Sequence, residues 1–282
     1  AMKVLRSPRT LISWRRRLDR DGITVGMVPT MGALHAGHRA LIRKARLACD
    51  ALVVSLFVNP KQFGPREDFT RYPRSFTHDA AMCRQEGVDF LYAPSLEAMY
   101  PAGHQTSVTV REVSTRWEGA IRPHHFEGVA TVVAKLLSAA RPDVAFFGQK
   151  DFQQTVVIRR LVTDLNQDVT VRVCPTVRET DGLALSSRNL YLSPGERRVA
   201  PRLYAALRAG RDAMRRGVTS GAKVTRAMKT VLAREPLVAV DYLAVCDPVT
   251  LEPLRVVRRR AVLLGAIRLG NVRLIDNILV GR

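Results

Sequence analysis

The chain has 282 residues, 46% hydrophobic and 25% charged, enough for one large or two modest domains and too apolar for a disordered polypeptide. No window reaches the roughly 18 consecutive apolar residues of a membrane span. Residues 2–20 carry Lys3, Arg6, Arg9, Arg15, Arg16 and Arg17 but no continuous apolar run, so no secretory leader is expected and a cytoplasmic location is. The formal net charge of +20 invites a nucleic-acid partner, yet only 7 of the 45 cations are Lys and the excess is spread along both halves. Arg-rich codon usage accounts for it better than a phosphate-binding face. Cys49, Cys83, Cys174 and Cys246 form no CxxC pair, so they read as reduced core residues rather than a zinc or disulfide framework.

Ser7 followed by Pro8 resembles an N-cap with proline at the first helical position, and Leu11, Trp14 and Leu18 give that helix its apolar stripe. Apolar runs at Ile23–Val28 and Ala51–Val58 read as strands buried on both faces, separated by a helix through Ile42 and Leu47. The alternation continues with a helix around Asp79–Glu86, a strand at Val88–Tyr92, a helix at Val129–Ala140 and a strand at Val144–Phe147. A helix at Phe152–Asn166 and a strand at Val169–Val173 complete it. This predicts an α/β fold, a Rossmann-like doubly wound parallel sheet with ligands at the carboxyl ends of its strands. Beyond Pro175, Ser193 to Glu196 reads as a capping box opening a helix to about Arg216, and a second helix ends near Pro236. Strands at Val238–Val245, Ala261–Ile267 and Leu274–Val280 follow, so residues 1–176 and 177–282 are expected to form separate domains, the second a smaller α+β one.

Chemistry concentrates in three places. The first is Pro29-Thr30-Met31-Gly32-Ala33-Leu34-His35-Ala36-Gly37-His38, between a buried strand and a helix. Its His-x-Gly-His core puts two imidazoles on one face of a helix N-terminus, where backbone N–H groups favour an anion and two rings able to carry charge suit a reacting phosphate. A metal pair needs a third ligand that the sequence does not supply. The second is Leu183-Ala184-Leu185-Ser186-Ser187-Arg188-Asn189, whose two hydroxyls and guanidinium can clamp phosphates. The third comprises Ser55–Phe63, containing Asn59-Pro60-Lys61-Gln62, and Gly148-Gln149-Lys150-Asp151 with Gln154, both at strand carboxyl ends.

The His-x-Gly-His and Ser-Ser-Arg pair, in that order, resembles the nucleotidylyltransferase superfamily. With Arg122-Pro123-His124-His125-Phe126 and Thr176-Val177-Arg178-Glu179, the whole set is similar to the pantothenate synthetase (pantoate–β-alanine ligase) family, over about Gly26 to Leu192. The resemblance implies ATP-dependent condensation of pantoate with β-alanine through a pantoyl-adenylate, with Mg²⁺, in a homodimer. It implies that residues 29–38, Gly148 to Asp151, Val177 and Leu185 to Arg188 bind ATP. It makes His35, His38, Lys150 and Arg188 catalytic, with His38 the acid toward departing pyrophosphate. Gln62 and Gln154 would hold pantoate, and Gln62 would border the β-alanine site. Asp79 is a weak candidate for a metal ligand. Amide side chains suit a small hydroxy acid because they bind hydroxyl and carboxylate oxygens without adding charge. A carboxylate nucleophile needs no general base, which leaves positioning and charge stabilisation as the main tasks.

Two positions depart from the family pattern. Gln149 stands where Glu is common, removing a charge beside Lys150, and His124 stands where a small residue is usual, adding bulk near Arg122. The rival readings are another nucleotidylyltransferase acting on a small substrate and a basic RNA-binding protein. The two glutamines speak against the first. Against a tRNA synthetase, little chain remains after the second motif for anticodon recognition.

Overall fold

The computed structural model describes residues 2–18, 22–65 and 67–281. In chain order its elements are β1 (Lys3–Leu5), α1 (Pro8–Leu18), β2 (Val25–Thr30), α2 (Ala36–Arg46), β3 (Ala51–Leu56), α3 (Phe76–Gln85) and β4 (Phe90–Tyr92). Next come α4 (Leu96–Met99), α5 (Glu118–Ile121), α6 (His125–Ala140), β5 (Val144–Gly148), α7 (Phe152–Asp164) and β6 (Thr170–Cys174). The chain continues through α8 (Pro194–Val199), α9 (Arg202–Arg215), α10 (Gly221–Leu232), β7 (Val238–Cys246), β8 (Arg260–Leu269) and β9 (Val272–Gly281). It divides into two units, Ala1–Gly148 with Val157–Cys174, and Gln149–Val156 with Pro175–Arg282.

The first unit is a six-stranded parallel sheet in the order β1-β4-β3-β2-β5-β6. Two-residue alternation along β3 explains why its sequence is apolar throughout. Ala51 and Val53 enter a core with Leu11, Val129, Val133 and Phe147, while Leu52 and Val54 enter a second with Ile42, Ala45 and Cys83. β2 and β3 run in register from Val25 opposite Ala51 to Thr30 opposite Leu56. Their carboxyl ends therefore release the histidine loop and the Asn59–Gln62 segment side by side.

The second unit pairs β7-β8-β9 antiparallel, with a register shift between Val240 and Tyr242. Leu263, Ile267 and Leu269 pack with Leu203 and Leu207 of α9 and Val224 and Met228 of α10. Four features differ from the sequence expectations. The helix expected from Ser193 to Arg216 is broken: the capping box forms, but Pro201 lacks an N–H to continue α8, and α9 restarts at Arg202. α6 begins at His125 rather than Val129. β1 is too short to show a period of its own and exists by pairing with β4. A single cut near residue 176 also leaves out Gln149–Val156, which groups with the second unit because Asn277 on β9 binds its backbone. All four cysteines are buried and free.

Candidate active site

The histidine loop is built around the start of α2. Gly32 and Ala33 both take positive φ, +89° and +51°, so the chain turns sharply between β2 and the helix. His35 is the N-cap and His38 the third helical residue. The His35 Nδ1 accepts the Gly37 N–H at 3.1 Å, and the His38 Nδ1 accepts the His35 N–H at 3.3 Å. This is a capping box made of two imidazoles. Its consequence is chemical, because an Nδ1 that accepts carries no proton. Each ring then presents its Nε2–H as a donor. The rings lie 4.1 Å apart.

Asp79, in the first turn of α3, closes the same loop from the other side. It is 2% exposed, and its two oxygens accept the Ala33 and Leu34 N–H groups, each at 2.8 Å. Ser75 Oγ and His78 Nδ1 stand 3.3 Å from one of those oxygens. Asp79 is thus committed to holding the loop. Among the described residues no group of three or more His, Cys, Asp or Glu side chains could hold a metal ion.

Gln62 sits in the 3₁₀ turn Pro60–Gln62, capped by Asn59. Its backbone carbonyl accepts from His125 Nδ1 at 2.8 Å and Arg122 at 3.4 Å, and its Nε2 reaches Met31 Sδ at 3.0 Å. Arg122 grips Glu67 with both arms, at 2.7 and 2.6 Å, and donates to His125 Nε2 at 3.1 Å. Burial, with Arg122 adding to it, pushes the His125 pKa down to about 4, so the ring is neutral at pH 7. Burial alone would raise Glu67; hydrogen bonds and charge from Arg122 outweigh it and hold that carboxyl below the usual range. The sequence reading puts the bulk of His124 close to Arg122. It is exposed, and the strain lies in its backbone, at φ +66°.

In the second unit, residues 177–185 form a hairpin turned at Gly182, with the Leu185 N–H donating to the Val177 carbonyl at 3.0 Å. Arg178 anchors it by a bidentate pair to Asp276 at 2.5 and 2.8 Å while stacking on Tyr204. Ser186 caps the turn Ser187–Tyr191 by accepting the Arg188 N–H. Lys150 and Ser186 line one small pocket with Leu183, Asn189, Tyr204 and Asp276. Asn277 donates from Nδ2 to the carbonyls of Gln149 and Lys150 at 2.8 and 3.0 Å, and its Oδ1 accepts from Gln149 Nε2 at 3.1 Å. Lys150 Nζ stands 3.8 Å from Asp151.

The structure therefore assembles the loop at 29–38 with Gln62 in the first unit, and Lys150 with Ser186 in the second. Gly148 ends β5, and Gln154 lies in α7. Sequence reasoning placed Asn59 and His125 within motifs but gave them no role, and missed Tyr100, Asp276 and Asn277 as supporting residues. The last pair carried a signal, an Asp-Asn interruption in an otherwise apolar strand, and both side chains are buried.

Residues 3–279 match the family described as pantoate-beta-alanine ligase. The chain belongs to the pantoate–β-alanine ligase family. It is 47% identical to the pantothenate synthetase of Heliobacterium modesticaldum, covering 99% of both chains, and 53% identical to that of Acidobacterium capsulatum, covering 92% of this chain and 86% of the other. Among solved structures it resembles pantothenate synthetase from Thermus thermophilus, with a TM-score of 0.93 and 48% identity over 98% of this chain and 99% of that one. It also resembles the Francisella tularensis pantoate-beta-alanine ligase, complexed with beta-gamma ATP and beta-alanine, with a TM-score of 0.82 and 34% identity over 99% and 98%. As a pantoate–β-alanine ligase the chain joins a hydroxy acid to an amino acid through an amide bond. No helix among the described residues is long and apolar enough to cross a membrane.

Proposed function

We propose that the ligation runs on ATP in two steps through a pantoyl-adenylate, in a cytoplasmic homodimer without a nucleic-acid partner. A pantoate carboxylate oxygen attacks the α-phosphorus as the bond to the departing pyrophosphate breaks. The β-alanine amine then attacks the acyl carbon, losing a proton, and AMP leaves. The observation that carries this reading is the imidazole capping box, which fixes two Nε2–H donors at the N-terminus of α2, where phosphate charge is favoured. Residues 29–38 take the triphosphate, with His35 and His38 as donors toward developing charge and His38 serving the leaving pyrophosphate. Gly148 to Asp151, Val177 and Leu185 to Arg188 complete nucleotide binding, Lys150 and Arg188 acting on phosphate charge. Gln62 and Gln154 hold pantoate, and Gln62 borders β-alanine. Mg²⁺ accompanies the nucleotide, held by phosphate oxygens and water rather than by Asp79.

The test is a single turnover with ATP and pantoate before β-alanine is added. Rapid quench should find pyrophosphate and an enzyme-bound acyl-adenylate. Appearance of ADP, or of no product until β-alanine arrives, rejects the two-step route.

A further inference from the structure

The binding role assigned to Gln62 leaves a question that the hydrogen bonds around it answer: which end of its amide faces the substrate. The neighbour that decides is Asn59, which is 1% exposed. One terminal atom of Asn59 lies 3.0 Å from the Gly128 carbonyl oxygen, which can only accept, so that atom is Nδ2. The opposite atom lies 3.3 Å from the Lys61 N–H, which can only donate, and 2.9 Å from the Tyr100 hydroxyl, so it is Oδ1. Two backbone groups of single polarity thus fix the amide from both sides. Gly128 can come this close because it has no side chain; a Cβ there would run into the Lys61 carbonyl and the Gln62 nitrogen.

The remaining hydrogen of Asn59 Nδ2 points to Gln62 Oε1 at 3.2 Å. Gln62 therefore turns its oxygen inward and its Nε2 outward. Among the described residues, Nε2 meets only the Met31 thioether, a weak acceptor, although Gln62 is 8% exposed. A buried amide nitrogen with so poor a partner is set to donate to an oxygen of higher charge density.

We infer that the Gly128 carbonyl, acting through Asn59 and braced by Tyr100, sets the polarity of Gln62 so that the site presents a donor to a carboxylate or hydroxyl oxygen. Asn59 and Tyr100 are positioning residues for specificity, and a ligand bearing an ammonium or amide hydrogen at that point is disfavoured. The inference rests on Gln62 binding pantoate.

The experiment measures KM for pantoate and for ATP in four variants of the full chain. Asn59→Asp offers only acceptors, so it cannot satisfy Gly128 or Gln62 Oε1, and Gln62 must turn its Nε2 inward. Pantoate KM should rise about 100-fold, with ATP KM within about twofold, because a buried polar mismatch discriminates strongly. Tyr100→Phe keeps the ring near the Lys61 and Lys135 ammonium groups and removes only the brace; it should raise pantoate KM roughly fivefold. In a Gln62→Ala background, Asn59→Asp should add less than about threefold, since the group it orients is gone. If Gln62→Ala raises pantoate KM while Asn59→Asp and Tyr100→Phe leave it within twofold, the relay is wrong and the binding role of Gln62 survives. If Gln62→Ala leaves pantoate KM unchanged, the binding role itself is wrong and the relay falls with it. Should Asn59→Asp fail to fold, Tyr100→Phe alone decides by the same split between the two KM values.

Discussion

The two groups of residues assigned to phosphate are held in place by opposite means. Around the histidines, the fixing contacts span two or three positions, His35 to Gly37 and His38 to His35, with Asp79 a distant clamp. Around Lys150, the fixing side chain is Asn277, 128 and 127 positions from the carbonyls it binds. Local capping makes the first site a property of its own sequence. The second exists only when β9 is in place, so its geometry depends on folding of the whole unit.

That contrast can be broken by mutation, most strongly at the reagents themselves. His38→Ala and Lys150→Ala should each lower the adenylation rate by on the order of 10²–10³ in rapid-quench assays, the range for losing one preorganised donor. His38→Ala should also weaken the cap of α2, whereas Lys150→Ala should leave stability near wild type. Turnover near wild type in His38→Ala would remove that residue from the chemistry. Asn277→Ala comes next: freeing two carbonyls and Gln149 should cut the rate about tenfold and lower stability by about 2 kcal/mol in urea unfolding. Asp79→Asn, which replaces one acceptor by a donor facing a loop N–H, should cost about 2 kcal/mol and raise KM for ATP. Equal ATP KM in Asp79→Asn and wild type would show that the histidine loop holds itself without the clamp.

A smaller effect concerns pH. His125 is faced by Arg122, Glu67 and Glu118, and its pKa falls from 6.5 in the unfolded chain to about 4 in the folded one. Between those values the unfolded state binds the extra proton, so stability should fall as pH drops from 6.5 toward 4, by on the order of 3 kcal/mol. Glu67, held below its ordinary 4.5 by Arg122, adds a further loss as pH falls through its folded value. Unfolding at pH 7 and pH 4.5, with His125→Gln as a flatter control, checks the sign. The smallest expected change is His124→Gly, which relieves a positive φ and should be neutral to stabilising by up to about 1 kcal/mol.

Legibility in the sequence follows the same divide. Strands buried on both faces, helix-opening prolines and the Ser193 box are local patterns, and they place the sheet order's building blocks within a few residues. His35, His38 and the Asn59–Gln62 turn are visible for the same reason. Asn277, Asp276 and Tyr100 act across long sequence separations, where no spacing rule reaches, and the capping use of His35 and His38 is hidden because imidazole is an unusual cap. Pro201 is legible as a breaker, but the amphipathic pattern running through it masks the break.

The Gln149–Asn277 pair has a polarity that its surroundings fix. Asn277 must turn Nδ2 toward two carbonyls, which leaves its Oδ1 facing residue 149 and asking for a donor. The glutamine supplies one; a glutamate there would offer none at neutral pH and would have to swing away, stranding the Asn277 oxygen. Gln149→Glu would therefore create a mismatch at this pair. The two amides are mutually dependent, so replacing either one alone should cost stability that replacing both need not double.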